Sequence, residues 1–129
     1  MSNAQADRER LTFPAARRLR RKWEFDQLYA RGKRLGNSHF GATVQPNALG
    51  LARLGLAVAS KPFGGSVPRN RIRRLIRESF RLRQHELPDV DLVISARPRA
   101  KDATAAELRA SLDGLWDKIK VQCAPSSQS

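Results

Sequence analysis

Between Pro68 and Arg83 the chain sorts its hydrophobic residues and its cations onto opposite sides of one helix, and that division leaves few ways to fold the rest. At about 100° per residue, Ile72, Leu75, Ile76, Ser79, Phe80 and Leu82 fall on one arc. Asn70, Arg73, Arg74, Arg77 and Arg81 fall on the other, with Arg71 and the single acid Glu78 at its border. One face needs a core, and the other repels itself unless an anion covers it. A solvated helix mixes charge signs to gain i,i+4 pairs worth about 0.2–0.5 kcal/mol each, whereas this face is almost wholly Arg. The guanidinium is a planar donor fork matched to phosphate oxygens, so the pattern points to nucleic acid. Ser66 is the expected N-cap, Pro68 suits a first turn where its missing N–H is not needed, and Pro88 stops the helix. The helix is therefore predicted from about residue 67 to about residue 85.

The whole chain shares this bias. Its 25 Lys and Arg against 12 Asp and Glu give a formal charge of +13, the footprint of a nucleic-acid or anionic-membrane partner. No apolar run is long enough to span a bilayer, no signal-peptide core is visible, and the apolar arc of the basic helix is needed inside. A membrane is thus not the expected partner. A chain of 129 residues makes one domain around one core. The single cysteine, Cys123, cannot form an internal disulfide, which fits a reduced cytoplasmic compartment. His39 and His85 have no Cys, His or acid at ligand spacing, so no protein-held zinc is expected.

Taken in order, residues 1–21 read as a basic arm, with Arg17, Arg18, Arg20 and Arg21 following Phe13-Pro14. Residues 22–121 form the domain and residues 122–129 a disordered tail. From Trp23 to about Arg31, Phe25, Leu28 and Tyr29 recur at helical spacing, and Gly32 is expected as a left-handed C-cap. An aromatic stripe of this kind serves a core or a base-stacking platform, and the flanking cations keep the second use open. Residues 39–45 and 54–59 alternate as strands, with Phe40, Ala42 and Val44, then Leu54, Leu56 and Val58, on the apolar side. Their other side is small or polar and too bare for a core, leaving an ordinary half-wet sheet face or a groove for an extended ligand. Gly64-Gly65 has the look of a phosphate cradle but lacks the Walker sequence. Residues 91–96 read as a buried strand, and because a helix separates it from the preceding strand, a strand–helix–strand crossover is implied. Thr104-Ala105-Ala106-Glu107 is a capping box opening a last helix, with Leu108, Leu112, Leu115 and Ile119 on one stripe beside Trp116.

The run Arg69-Asn70-Arg71-Ile72-Arg73-Arg74-Leu75-Ile76-Arg77-Glu78-Ser79-Phe80-Arg81 strongly resembles the protein subunit of bacterial ribonuclease P, whose hallmark is Arg-Asn-Arg opening a basic helix. Arg53-Leu54-Gly55-Leu56 and Lys61 stand where that family has an Arg-hydrophobic-Gly-hydrophobic segment and a lysine. Phe25 and Tyr29 match its two helix aromatics, and the likeness runs from about Leu19 to Ile119. It implies an α+β fold: a single-domain αβ sandwich with a small mixed sheet, three helices and a left-handed crossover, against the usual right-handed rule. It also implies a ribonucleoprotein endonuclease that removes the 5′ leader of precursor tRNA to give the mature 5′ end. There the large RNA carries catalysis and holds Mg²⁺, and the protein, with no catalytic residue or metal of its own, binds both that RNA and the leader. Carried over by position, Arg69, Asn70, Arg71, Arg73, Arg74 and Arg77 face the ribonuclease P RNA, while Phe25, Tyr29, Thr43 and Lys61 belong to the leader cleft. Two departures stand out: Ser60-Lys61 replaces the usual pair of lysines, and Thr43 sits where some members carry an aromatic.

Two rivals share the composition. A non-enzymatic RNA-binding protein, such as a ribosomal protein, would look the same apart from the Arg-Asn-Arg motif. A self-sufficient metal-dependent nuclease would need convergent carboxylates, and Glu86, Asp89 and Asp91 are the only close grouping, more simply read as turn chemistry.

Overall fold

The structure, a computed structural model, describes residues 18–19, 21–47, 49–59 and 64–122. The arm as far as Arg17, together with Arg20, Lys61 and the tail from Cys123, lies outside that description. Helix α1 spans Lys22–Arg31 and is followed by strands β1, Lys33–Gly36, β2, Phe40–Pro46, and β3, Arg53–Ala57. The basic helix α2 covers Ser66–Arg83, β4 runs Val90–Ala96, and α3 spans Ala105–Gln122. Short 3₁₀ turns at Gln84–Glu86 and Pro98–Asp102 flank β4.

The four strands form one mixed sheet in the order β1-β2-β4-β3. β2 is antiparallel to β1 and β4, whereas β3 and β4 lie parallel with Leu54 opposite Leu92 and Ala57 opposite Ser95. Parallel neighbours cannot be joined by a hairpin, so α2 forms the expected crossover. This is the α+β architecture, with three helices among the described residues. The strand at Lys33–Gly36 escapes sequence reading, because four residues that open on two cations show no usable alternation.

The apolar sides of β2, β3 and β4 meet α2 and α3. Phe40, Leu54, Leu92 and Ile94 are buried there against Ile72, Ile76 and Phe80 of α2 and Leu108, Leu112, Trp116 and Ile119 of α3. The helix–helix seam is specific: the Phe80 and Trp116 rings meet edge-on at 6.0 Å, and Trp116 Nε1 donates to Ser79 Oγ at 2.7 Å. That bond explains a polar residue on the apolar arc. The capping box forms as expected, with Glu107 N donating to Thr104 Oγ1 at 3.1 Å and Thr104 N to Glu107 Oε1 at 2.8 Å.

Three expectations need correction. Leu82 is 58% exposed rather than buried, because it lies at the edge of the arc where α3 does not cover it. Arg83, nearer the centre of that arc, turns to α3 instead and pairs with Asp117 at 2.6 Å and Asp113 at 3.3 Å. Gly65, not Ser66, precedes the helix: Gly64 and Gly65 at φ 79° and 132° make a backbone turn that side-chain-bearing residues disfavour, and Ser66 already lies in the first turn. Gly32 is extended, not left-handed, at φ −77° and ψ 157°. It is needed for space, since a Cβ there would stand 2.6 Å from both Leu28 O and Thr43 Cγ2.

The helix phase can be checked directly. Phe80→Ala is expected to cost about 3–5 kcal/mol through the cavity left beside Trp116, while Leu82→Ala should stay within about 0.5 kcal/mol. Chemical denaturation of both variants measures the contrast, and equal losses would show the helix rotated from the phase described.

Candidate nucleic-acid interface

The fold presents two electropositive features, and the first is the outer face of α2. Asn70, Arg71, Arg74 and Arg77 are exposed, whereas Arg69 and Arg73 are half-buried. Arg69 Nε donates to Val58 O at 2.6 Å, tying the start of the helix to the chain as it leaves β3. Burial, and then the charges of Arg77 and Arg69, push the Arg73 guanidinium down from its ordinary value. This face therefore carries repulsion and desolvation that a row of phosphates would relieve. The resemblance-derived set Arg69, Asn70, Arg71, Arg73, Arg74 and Arg77 lies along this one helix.

The second feature lies on the opposite side of the sheet. There the expectation of a bare face fails in part, because α1 covers it with a small second core of Leu19, Leu28 and Val93, against which Phe25 and Ala57 pack. The glycine of Arg53-Leu54-Gly55-Leu56 belongs to this core. A Cβ on Gly55 would stand 2.7 Å from Phe25 Cζ and 3.1 Å from Leu19 Cβ, so the missing side chain makes room for the Phe25 ring. Phe25 is thus largely a packing residue, whereas Tyr29, one turn on, is 43% exposed.

Arg53 fixes the far end of α1. Its guanidinium grips Asp91 with two bonds of 2.8 Å and reaches Glu24 of α1 at 3.3 Å, and hydrogen bonding to Asp91 holds it above its ordinary pKa. Asn47 Nδ2 donates to the same Asp91 oxygen at 2.8 Å. Glu86 is likewise paired, with Arg83 at 3.0 Å and Lys120 at 3.3 Å. Of the carboxylates at the turn into β4, Asp91 and Glu86 are therefore engaged in ion pairs while Asp89 is exposed, and among the described residues no three His, Cys, Asp or Glu side chains are grouped to hold a metal.

Beyond α1 the sheet stays open as a cleft of about 250 Å³. Its floor is Gly41, Thr43 and Ser95, its walls Tyr29, Arg34 and Arg97. Register places these groups on one side: Arg34 pairs with Thr43, and Gly41 with both Gly36 and Ser95. Thr43 is 7% exposed. Burial pushes the Tyr29 phenol above its ordinary value. The structure thus brings Tyr29 and Thr43 into one cleft with Phe25 packed behind, while Lys61 falls outside the described residues. Sequence reading missed Ser95 and Arg97. Strand parity carried on from Val93 through residues 95 and 97 would have found both. A planar aromatic, two cations and a polar floor suit an unpaired nucleic-acid strand.

Comparison with known proteins agrees with this geometry. The family model for Ribonuclease P matches residues 13–120. The ribonuclease P protein component of Thioalkalivibrio sulfidiphilus is 37% identical over 112 residues, covering 87% of this chain and 93% of that protein. That of Methylococcus capsulatus is 39% identical over 115 residues, covering 89% and 90%. Among solved structures, the Staphylococcus aureus RNase P protein superposes with a TM-score of 0.77 at 31% identity, covering 81% of this chain and 96% of its own. The Thermotoga maritima RNase P protein gives 0.72 at 29% identity, covering 79% and 96%.

Gly55→Ala tests the packing of α1 against the sheet. Its backbone conformation suits alanine, yet the new methyl must displace Phe25, and overpacking of this kind costs about 1–3 kcal/mol. A thermal melt lowered by about 4–8 °C per kcal/mol is expected; an unchanged melt would mean that Phe25 lifts freely and is not a core residue.

Proposed function

The chain belongs to the ribonuclease P protein component family, the protein part of a ribonucleoprotein endoribonuclease, and we propose from that membership that its two cationic surfaces divide the RNA between them. The outer face of α2 binds the catalytic RNA, and the cleft beside Tyr29 binds the single-stranded 5′ leader of precursor tRNA. The observation that carries this reading is the separation of the two surfaces by the full thickness of the sheet, one on each side. A duplex-reading helix and a strand-reading cleft are different devices, and an enzyme that must hold a folded RNA and a flexible leader at once needs both.

Arg71, Arg74 and Arg77 offer exposed forks to phosphates, and Arg69 anchors the helix start to Val58. In the cleft, Tyr29 stacks on a base and Arg34 neutralises backbone charge. Mg²⁺ is assigned to the RNA partner, since Asp91 and Glu86 are engaged by Arg53, Arg83 and Lys120 and offer no free donor set. The chain itself supplies binding and orientation. A site of action in the cytoplasm, where precursor tRNA is made in bacteria, follows from this reading; among the described residues no helix is long and apolar enough to cross a membrane.

Purified protein with Mg²⁺ should leave precursor tRNA intact and should promote cleavage once the catalytic RNA is added. Cleavage by the protein alone would overturn the assignment. Tyr29→Ala should weaken precursor binding by about 1–3 kcal/mol with little change for mature tRNA, because only the precursor has a leader. For the catalytic RNA, Arg74→Ala with Arg77→Ala should flatten the slope of log affinity against log salt by about 1.4–1.8 at an unchanged melting temperature. A wild-type slope in that double variant would remove the outer face of α2 from the interface.

A further inference from the structure

Arg97 is held in an unusual way. Gly36 and Gly41 lie directly opposite each other in β1 and β2, and the guanidinium lies across both. A Cβ on Gly36 would stand 2.5 Å from Arg97 Nη2, and one on Gly41 would have Nη2 at 3.6 Å and Cζ at 4.0 Å. Arg97 Nε donates to Phe40 O at 3.3 Å, and Arg97 N donates to His39 O at 2.8 Å. The side chain is nonetheless exposed, and among the described residues it has no carboxylate partner. Two missing side chains thus leave a trough in which the guanidinium rests against the sheet, its Nε bonded to Phe40 O, at the wall of the cleft shared with Tyr29 and Thr43.

We propose that Arg97, seated in the Gly36–Gly41 trough, is a stacking platform for an unpaired leader base, and that it supplies the flat surface which Thr43 does not. This rests on the reading of the cleft as the leader site. An arginine acting only on phosphate needs reach and charge, not a bed that fixes its plane. A guanidinium whose plane is fixed and unpaired by acid is what stacking requires, and bases stack on guanidinium planes as they do on aromatic rings. Tyr29 on α1 and Arg97 at the end of β4 then present two flat groups to one strand, with Thr43 and Ser95 as hydroxyl-bearing floor between them.

The test measures binding of precursor and mature tRNA to the reconstituted holoenzyme for Arg97→Ala, Arg97→Lys and Gly36→Ala. Gly36→Ala is informative because its methyl would stand 2.5 Å from Arg97 Nη2, the far end of a long side chain, and 3.1 Å from Phe40 O, so the guanidinium must be displaced while the backbone has to yield only slightly. All three should lower precursor affinity about fivefold or more, with mature tRNA unchanged and melting temperatures near wild type. A series of leaders with single abasic sites locates the base: at one leader position the loss caused by Arg97→Lys should vanish. Full affinity in Arg97→Lys, or in Gly36→Ala, would overturn the platform and leave a simple charge contact. If the wild-type holoenzyme does not prefer precursor over mature tRNA, the cleft assignment itself falls, and the two failures are thereby distinct.

Discussion

The parallel pairing of β3 with β4 is the constraint from which the rest of the molecule follows. A chain leaving Ala57 must return to the opposite end of the sheet to enter at Val90, and α2 is the segment that makes this return. Lying on the sheet, α2 must bury Ile72, Ile76 and Phe80, which turns Arg71, Arg74 and Arg77 outward. The exposed basic face of α2 is thus a by-product of closing the core. α3 completes the layer through the Phe80–Trp116 contact and the bond to Ser79, which fix the rotation of α2 about its axis.

How much of this the sequence revealed depends on the range of the interaction concerned. Local, periodic features were legible: the division of α2 into two arcs, the Thr104–Glu107 capping box, the apolar stripe of α3 and the crossover. Features set by what lies across the sheet were not. Gly32 and Gly55 look alike as glycines in a sequence, yet one clears Thr43 and the other receives Phe25, and neither neighbour is near in the chain. Leu82 failed because an apolar residue at the edge of an arc is buried only if the adjoining helix reaches it. The Arg-Asn-Arg motif pointed to the basic face correctly, but the walls of the cleft, Arg34 and Arg97, come from strands whose pairing had to be seen.

Electrostatics and stability pull in different directions in this chain. A charge of +13 favours association with a polyanion and opposes compaction, and Arg73 shows the tension at one residue, half-buried beside Arg69 and Arg77. The counterweight is placed away from α2's outer face. Arg53 is neutralised by Asp91 and Glu24, and Arg83 by Glu86, Asp113 and Asp117, so acids are concentrated where they join elements. The cations of the two proposed binding surfaces are left largely to their ligand.

Among the described residues β1 borders only β2, so its outer side is a sheet edge, with the Gly36 carbonyl taken by Lys118 Nζ at 2.7 Å. Sheets left open in this way recruit a second copy of themselves unless something blocks the approach, and short length with charged side chains is the usual safeguard. Here β1 is four residues long and begins Lys33-Arg34, with Lys33 held by Gln122 at 2.7 Å. The cation that walls the cleft therefore also guards against edge-to-edge aggregation. A protein that works with an RNA partner has to stay dispersed while unpartnered, and Arg34 answers that need and supplies a charged wall of the cleft with one side chain.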